Sequence, residues 1–424
     1  MGKSSFAIRD PIHGFVELNP HEWNVINSRP FQRLRRIRQL AWTDYVYPAA
    51  MHCRFEHSIG VMHVATRIFD AIWQRDQDRL KSEFDLEKSG APRQRQILRL
   101  AALLHDLGHS PFSHAGEEAL PQKDSKIKYT HEEYSDAILT ISLHDCIDND
   151  GYNYTNHGVK ASDISEVFSS RPRNAISSFL KTIVSGQMDA DRMDYLLRDS
   201  YHCGVTYGRY DLDRIINSCC LCTNPEDDTP SIGIDQGGLQ AAEGLIIARY
   251  MMFSQVYFHH TRSIYDRHLS NCLSDLLSDE GGHFPPPTKE GIARFLRWDD
   301  WRVLGALADG QGGEHGRRIA ERDHYRLVHE TPEAASAEEI ARAEQILGAL
   351  VNLSPLEVSS EKSWYKKNST EVLIRKEREG ITGRDIPLSQ RSGIVGKILP
   401  TNQRRVYVAA ERRREAYEQI KKLS

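Results

Sequence analysis

The sequence predicts a mainly α-helical protein with a smaller α+β region at its C-terminal end. Three observations support this fold class. Long stretches place apolar residues at helical spacing, glycine and proline are concentrated in a few segments, and alternating patterns typical of strands are short. Hydrophobic residues make up 39% of the 424 residues, which is enough to bury a large core.

The helical stretches occur along the whole chain. Segments 97–107 and 239–258 are strongly apolar and predict buried helices. Segment 335–351 predicts a helix with Ser336 as its N-cap in a capping box. Segment 408–423 predicts a last helix, with lysines near its C-terminal end, where the helix dipole favours them.

Other segments predict loops and short strands. Residues 223–238 and 278–288 are rich in glycine, proline and acidic residues, so we expect loops there, the first with one short strand. Short alternating patterns at 16–18 and 362–376 predict strands.

The helical body is predicted to end near residue 275. We therefore expect residues 1–275 to form the core domain, with its chemically informative segment at about 50–200. Residues 276–424 are expected to form the α+β region, packed on the core or at an oligomer interface.

Composition narrows the function classes. A net charge of −4 argues against a protein that coats nucleic acid non-specifically. No apolar run approaches the roughly 20 residues of a membrane span, and the N-terminus lacks the apolar region of a signal peptide. We therefore expect a cytoplasmic protein. Cys219, Cys220 and Cys222 are not followed by a second ligand pair at zinc spacing, so reduced, buried thiols are predicted.

Histidines and acidic residues are concentrated in short strings. In LLHDLGHSPFSH, His105 and His109 are four residues apart, so we expect them to share a helical face with Asp106 beside them. Imidazoles and carboxylates together suit Mn²⁺, Fe²⁺, Zn²⁺ or Ni²⁺ better than Mg²⁺. The residues that predict such a site are His57, His105, Asp106, His109, His114 and His131.

Five strings carry a family resemblance: DPIHG at 10–14, FQRLRRIRQL at 31–40, RFEHSIGV at 54–61, LLHDLGHSPFSH at 103–114 and DADRMDYLLRDS at 189–200. In this order they resemble the HD-domain superfamily, and most of all its deoxynucleoside triphosphate triphosphohydrolase branch. The resemblance covers about residues 6 to 270, and the C-terminal third matches loosely. It implies a helical HD-domain core.

The resemblance also implies a site. One divalent transition metal per subunit would be held by His57, His105, Asp106 and Asp191, and Mg²⁺ can accompany the substrate phosphates. The catalytic residues would be His109, His114, Glu117 and His131, with Glu132 beside it. A histidine paired with a carboxylate can protonate the departing 5′-alkoxide. Both His114 with Glu117 and His131 with Glu132 fit this role.

Substrate contacts follow from the same resemblance. Phosphate groups would meet the guanidinium groups of Arg54, Arg192 and Arg262. The sugar would meet Gln39, Leu40, Tyr195 and Asp199. Asp191, Tyr195 and Asp199 are spaced four apart and so predict one helical face. Ser270 stands where animal members carry a tyrosine that helps to exclude ribose, which leaves ribose and deoxyribose both open.

The arginine-rich run at 29–38 has two interpretations. Its charges are typical of the solvated face of an amphipathic helix. Alternatively, the run contributes to a nucleotide effector site, because Gln32 and Arg35 match an activator pocket of animal members. Asn27 and Phe6 depart from that pocket, standing in place of an aspartate and a lysine.

The sequence therefore predicts a metal-dependent phosphohydrolase that cleaves dNTPs at the α-phosphorus, releasing deoxynucleoside and triphosphate. A stepwise nucleotide phosphatase or a phosphodiesterase on the same scaffold is an alternative. A nucleic-acid-binding or nucleotide-sensing module with a vestigial site is another, against which the acidic charge and the intact ligand set argue. Expected partners are a nucleotide substrate, a nucleotide effector and further copies of the chain in a homo-oligomer, without a membrane and with no requirement for nucleic acid. The biological role would be dNTP homeostasis or antiviral defence.

Overall fold

The structure, a computed structural model, describes residues 5–124, 127–224, 228–362, 371–375 and 385–423. Helices dominate the described residues. In chain order they are α1 Pro20–Asn27, α2 Arg29–Gln32, α3 Arg54–Phe84, α4 Ala91–Leu104, α5 His131–Ser142, α6 His144–Asp148, α7 Gly151–Asn156, α8 Ala161–Phe168, α9 Ala175–Val184, α10 Ala190–Cys203, α11 Leu212–Ser218, α12 Leu239–Met252, α13 His260–Leu276, α14 Lys289–Phe295, α15 Asp300–Ala308, α16 Gly313–Ala320, α17 Ala337–Ala349, α18 Leu388–Arg391 and α19 Arg413–Lys421.

Short strands form three sheets among the described residues. The strands are β1 Phe6–Asp10, β2 Gly14–Leu18, β3 Cys219–Thr223, β4 Pro230–Ile234, β5 Arg326–Glu330, β6 Leu356–Lys362, β7 Leu373–Ile374, β8 Ile386–Pro387 and β9 Thr401–Val408. β1 and β2 form an antiparallel hairpin in which Phe6 pairs with Leu18 and Asp10 with Gly14. The other sheets have the orders β3-β4-β7-β8 and β5-β9-β6.

The long central helix α3 packs against both α4 and α10. Their apolar residues form the main core, which includes the fully buried Leu100, Leu103 and Leu196. Phe284 and Phe295, both beyond residue 275, belong to the same core. The boundary near residue 275 therefore stays a prediction about folding units, since the apolar core is continuous across it.

The C-terminal region has a smaller core of its own. The sheet β5-β9-β6 packs against α17 and α19, and Val328, Ile346, Leu350 and Val406 are buried between them. A helical core followed by a smaller α+β part confirms the predicted fold class.

Most predicted helices are present. The capping box at Ser336 forms, because its hydroxyl accepts from the backbone N–H of Glu339 and the Glu339 carboxylate accepts in return. Segment 239–258 is helical only to Met252 and continues as a π-helical turn, Phe253–Tyr257.

The predicted loops and strands were observed in part. Segment 223–238, predicted as a loop with one short strand, contains β4, which pairs with β3 in an antiparallel hairpin; residues 225–227 lie outside the described ones. The strand predicted at 16–18 is β2. Of the strand predicted at 362–376, only its first residue in β6 and the short β7 are observed; residues 363–370 and 376 lie outside the described part. The long strand β9 within the C-terminal region was missed.

All seven cysteines are free and five of them are buried, among them Cys219, Cys220 and Cys222, which were predicted to be reduced, buried thiols. None of the helices in the described ranges combines the length and apolar character needed to cross a lipid bilayer.

Candidate active site and metal centre

Three helices bring the predicted metal ligands together. His57 lies in the first turn of α3, Asp191 lies in the first turn of α10, and α4 ends at Leu104, directly before His105 and Asp106. Gly108 allows α5 to approach this turn. A Cβ atom at that position would lie 2.0 Å from the carbonyl oxygen of His131, so any larger residue would push α5 away.

Three of the four predicted ligands, His57, His105 and Asp106, place ligand atoms close enough together to hold one ion, and Asp191 faces the two histidines. The Nε2 atom of His57 lies 3.0 Å from the Oδ1 atom of Asp191 and 3.4 Å from the Oδ2 atom of Asp106. The Nε2 atom of His105 lies 3.2 Å from the Oδ1 atom of Asp106 and 3.7 Å from that of Asp191. Two imidazole nitrogens and two carboxylates therefore face a common centre.

The imidazole nitrogens that face this centre fit a metal ion. Both Nε2 atoms, of His57 and of His105, are buried and have no hydrogen-bond partner in the protein. The opposite nitrogen of each ring is held: the Nδ1 atom of His57 donates to Asp194 at 2.7 Å, and that of His105 donates to the carbonyl of Ala102 at 2.8 Å. These bonds leave a lone pair on each Nε2 atom, as metal ligation requires.

The electrostatics of this centre favour a cation. Burial by itself would lower the pKa of His57, but the adjacent carboxylates of Asp191 and Asp194 raise that pKa to about 10. Burial would also raise the pKa of Asp191, but His105 and His57 hold it below its ordinary value. Positive charge is therefore stabilised at this point, and a divalent ion can replace the imidazole proton.

A second cluster lies beside the first. One carboxylate oxygen of Glu117, Oε1, lies 2.9 Å from the Nδ1 atom of His114, 2.8 Å from that of His131 and 3.4 Å from that of His109. The rings of His109 and His131 stack with their centroids 4.0 Å apart. These four residues could also hold a metal, but the two shortest separations are those of hydrogen bonds.

The imidazoles of this cluster differ in protonation. Burial, Arg54 and His131 together lower the pKa of His109 to about 3, so its ring is neutral. Burial would lower the pKa of His131 too, but Glu117 and Glu132 raise it above its ordinary value. The two carboxylates therefore favour the protonated form of the His131 ring. The side chain of His114 is 64% exposed, which places it at the mouth of the site.

The expectation that His105 and His109 share a helical face is wrong. α4 ends at Leu104, and turns follow it. His109 consequently stands between the two clusters, with its Nε2 atom 3.2 Å from the Oδ1 atom of Asp106 and its Nδ1 atom 3.4 Å from Glu117.

The solvated-face interpretation of the run 29–38 is wrong for Arg33. Arg33 is 1% exposed, and its guanidinium group donates to the backbone carbonyls of Trp298, Leu107 and His109. It therefore holds the histidine-bearing turn against the segment before α15. Arg35, in contrast, is exposed and donates to the side chain of Gln32.

The two residues that depart from the activator pocket have internal contacts. The ring of Phe6 stacks on Trp23 with 4.6 Å between centroids, and the side-chain amide of Asn27 donates to the carbonyl of Trp23 at 2.8 Å.

A cavity of about 900 Å³ contains both clusters. Most of the predicted site residues line it: Gln39, Leu40, Arg54, His105, Asp106, His109, His114, His131, Glu132, Asp191, Tyr195, Asp199 and Arg262. Two predicted residues of these clusters do not line the cavity: His57, which is fully buried, and Glu117, which contacts the lining residues His114 and His131. Arg192 is not among the lining residues, and its guanidinium group pairs with Asp189 at 2.5 Å.

The predicted sugar-contacting residues lie together on this cavity wall. Asp191, Tyr195 and Asp199 lie on one face of α10, as their spacing predicted. Asp199 accepts from His52 and from the hydroxyl of Tyr257, each at 2.7 Å. The Oε1 atom of Gln39 is buried without a partner, so it can accept a hydrogen bond from a bound hydroxyl.

The predicted phosphate-binding arginines already have internal partners. Arg54 pairs with Asp106 and donates to the Ser113 hydroxyl at 2.8 Å. Arg262 lies 3.3 Å from Asp266 and donates to the carbonyl of Tyr257.

Several lining residues were not predicted. Lys181 of α9, Tyr257 of the π-helical turn and Arg267 of α13 face the cavity, and Ser359 and Ser360 of β6 close it from the C-terminal region. Lys181 and the two serines stand in segments without a recognisable motif. Tyr257 stands in segment 239–258, which the apolar pattern predicted as one buried helix, so no sequence signal distinguished it.

The chain is similar to known proteins in sequence and in fold. A family model described as the HD domain matches residues 54–196, and one described as an HD-associated region matches residues 210–347. An uncharacterised protein of Methanocaldococcus jannaschii is 39% identical over 260 residues, which are 61% of this chain and 47% of that protein. The deoxynucleoside triphosphate triphosphohydrolase SAMHD1 of Homo sapiens is 32% identical over 237 residues, covering 51% of this chain and 36% of the human protein.

The chain spans about half or less of the length of these curated relatives. A solved structure extends the match to the whole chain. The crystal structure of a hypothetical protein from Aquifex aeolicus has a TM-score of 0.79 and 29% identity, and the match covers 98% of this chain and all of that one. The two matched regions and the order of the five strings lead to one conclusion: the chain contains an HD domain followed by an HD-associated region.

Proposed function

We propose that the protein is a metal-dependent phosphohydrolase that cleaves dNTPs between the α-phosphorus and the 5′-oxygen. The products are a deoxynucleoside and inorganic triphosphate. One observation carries the proposal. Two unpaired imidazole nitrogens and two carboxylates converge at a cavity wall that also bears the imidazoles held by Glu117. The human relative is named a deoxynucleoside triphosphate triphosphohydrolase, which supports the nucleotide class of substrate.

The metal would be held by His57, His105, Asp106 and Asp191. Two neutral imidazoles and two carboxylates compensate the charge of a divalent ion, and a nitrogen–oxygen donor set suits Mn²⁺, Fe²⁺, Zn²⁺ or Ni²⁺. When bound, such an ion supplies Lewis-acid polarisation of a phosphate oxygen and a water of lowered pKa. Mg²⁺ can enter with the substrate phosphates.

The protein itself supplies the proton for the leaving group. As water adds to the α-phosphorus, the bond to the 5′-oxygen breaks, and the alkoxide needs a proton. Glu117 accepts from the Nδ1 atoms of His114 and His131, which leaves the Nε2 atom of either ring to carry that proton. General acid catalysis of this kind contributes about 10²- to 10⁴-fold.

The remaining cavity residues would position the substrate. Arg54 and Arg262 would bind the phosphates and Lys181 would add a further cation, while Gln39 would accept from a sugar hydroxyl. Ser270 lines the cavity, where it leaves room for a ribose as well as a deoxyribose. A homo-oligomer, a nucleotide effector that contacts Arg35, and a cytoplasmic location in dNTP homeostasis or antiviral defence belong to this proposal through the family resemblance alone.

The test is a product assay. Purified protein is incubated with single dNTPs and NTPs and with Mn²⁺, Fe²⁺, Zn²⁺, Ni²⁺ or Mg²⁺, and the products are separated by ion-exchange chromatography. We expect intact triphosphate and deoxynucleoside in equal amounts. Release of single phosphates would identify a stepwise phosphatase instead, and turnover of cyclic or diester substrates alone would identify a phosphodiesterase. Complete inactivity with every substrate and metal would favour the vestigial, nucleotide-sensing module.

A further inference from the structure

The carboxylate behind the metal centre has four donors. Asp194 of α10 is fully buried, and its Oδ2 atom accepts from the Nδ1 atom of His57 at 2.7 Å and from the Nε atom of Arg198 at 2.8 Å. Its Oδ1 atom accepts from the Nε2 atom of His13 at 2.7 Å and from the Nη2 atom of Arg198 at 2.8 Å. An ionised carboxylate offers about four lone-pair sites, so Asp194 is saturated and cannot turn.

This saturation fixes the tautomer of His57. An ionised carboxylate only accepts, so the ring nitrogen that faces Asp194 must carry the hydrogen. The Nε2 atom then carries the lone pair, and it is the atom that lies 3.0 Å from Asp191 and has no partner. A rotation of Asp194 would remove the acceptor that holds the ring in this state.

The N-terminal hairpin completes the arrangement from outside the three central helices. Asp10, the last residue of β1, accepts through its Oδ2 atom from the Nη1 atom of Arg198 at 2.8 Å. Its Oδ1 atom accepts from the backbone N–H groups of Ile12 and His13 at 2.8 and 2.9 Å. Asp10 therefore shapes the turn that presents His13, and it also holds Arg198 on Asp194.

The space around the carboxylate is closed. The side chains of His13 and Arg198 are 2% and 0% exposed, so water does not compete for their hydrogen bonds. A Cβ atom on Gly60 of α3 would lie 1.9 Å from the Oδ1 atom of Asp194 and 2.4 Å from the Nη2 atom of Arg198. Only glycine lets α3 approach α10 closely enough for these contacts.

We propose that the hairpin turn, through His13 and Asp10, is a positioning element for the metal centre. The hydrogen bonds of these two residues fix the orientation of the Asp194 carboxylate, and that orientation leaves the Nε2 atom of His57 free to bind the ion. The inference rests on the proposed function, because it assigns that metal to His57. It gives a role to the DPIHG string, whose residues lie outside the substrate cavity, and makes His13 and Asp10 positioning residues.

The alternative is that the contacts of the hairpin only stabilise the fold. A second set of contacts between the N-terminal segment and the central helices, made by Arg99, provides the control. Arg99 of α4 is 8% exposed and pairs with Glu22 at 2.6 Å, while it also donates to the carbonyl of Glu17 in β2 at 2.9 Å. Arg99→Met would loosen the N-terminal segment without touching Asp194. His13→Leu removes one of the four donors to Asp194 and leaves Arg198 and His57 in place. His13→Gln keeps a side-chain donor.

The experiment measures Co²⁺ binding to the full chain by competition with a chelator and by the visible spectrum of the bound ion. Thermal unfolding of each metal-free variant is followed in parallel. Loss of a carboxylate or other group that supports a metal-bound histidine typically costs 10- to 100-fold in metal affinity. We expect a loss of about this size in His13→Leu with an altered Co²⁺ spectrum, a smaller loss in His13→Gln, and parental affinity in Arg99→Met despite a lowered Tm.

Parental Co²⁺ affinity and spectrum in folded His13→Leu would overturn the inference. So would an equal loss of affinity in Arg99→Met. If His13→Leu does not fold, the Co²⁺ affinity and spectrum of Asp10→Asn and His13→Gln are compared with those of Arg99→Met instead. A parent protein that binds Co²⁺ but hydrolyses no nucleotide would contradict the proposed function alone, and a parent that binds no metal under any condition would contradict both.

Discussion

The predicted metal ligands and the predicted phosphate-binding arginines belong to one site but differ in what they contact. His57 and His105 each have one ring nitrogen held by a protein acceptor and the other unpaired. The arginines at 54, 192 and 262 each already pair with an aspartate. The metal centre is therefore preorganised for its ion, whereas each arginine must give up its aspartate partner before it can bind a phosphate. Binding to preorganised groups costs less free energy. We therefore expect the metal centre to determine whether the enzyme is active, and the arginines to adjust its affinity for the substrate.

Glu117→Gln should have the largest effect on turnover. It tests whether the cluster of His109, His114, Glu117 and His131 acts independently of the metal centre. The neutral glutamine cannot stabilise the protonated imidazoles of His114 and His131 as a carboxylate does, so the proton donor is lost and turnover should fall about 10²-fold or more. Metal content, measured by elemental analysis, should stay at the parental level because Glu117 lies outside the four ligands. A variant that loses its metal together with its activity would show that the two clusters are one.

Arg33→Met tests the support of the histidine-bearing turn. The substitution leaves three buried backbone carbonyls without their charged donor, which should lower the free energy of unfolding by about 3 kcal/mol. Arg29→Met, an exposed neighbour in the same run, should change it by less than about 0.5 kcal/mol. Denaturant unfolding of the two variants measures both values. Equal, small changes would mean that Arg33 does not hold the turn.

Arg262→Gln and Arg192→Gln compare an arginine that lines the cavity with one that does not. Removing a guanidinium group that binds phosphate should raise KM for a dNTP about tenfold. Arg192 pairs with Asp189 outside the lining, so its variant should change KM less than about twofold in steady-state kinetics. The reverse order would show that Arg192 turns into the cavity when substrate binds.

Glu132→Gln should have the smallest effect, a shift in pH dependence. Glu132 lies 3.5 Å from the Nε2 atom of His131 and helps to raise the pKa of that ring. Losing the negative charge disfavours the imidazolium, so the pKa falls and the alkaline limb of kcat/KM should move to lower pH. Because Glu132 is 61% exposed, an ion pair of this kind is worth at most about 1 kcal/mol, or less than about 0.7 pH units. An unmoved limb would assign the proton to His114.

The sequence predicted those parts of the site that depend on local spacing. The strings around His57, His105 and Asp191 are short and contiguous, and α10 alone places Asp191, Tyr195 and Asp199 on one face. The fold class followed equally from the apolar periodicity of α4 and α12. These features require no knowledge of how distant segments meet.

Features that depend on distant contacts could not be predicted. Arg33 was grouped with solvated charges because its partners, Leu107, His109 and Trp298, are 74 to 265 residues away. The pairing of Arg192 with Asp189 is local, but nothing in the spacing says whether such an arginine turns inward or outward. The four donors around Asp194 come from three separate segments, so its saturation became visible only in the structure.

The most direct test of the central claim is a comparison of two His-Asp doublets. The chain contains a second doublet, His144 and Asp145 at the start of α6, whose side chains are 54% and 92% exposed. One double variant carries His105→Ala and Asp106→Ala, and the control double variant carries His144→Ala and Asp145→Ala. Elemental analysis of the two purified proteins measures their metal content. We expect metal content to be lost in the His105/Asp106 double variant and unchanged in the His144/Asp145 double variant. Equal metal content in the His105/Asp106 double variant and the parent would contradict the central claim.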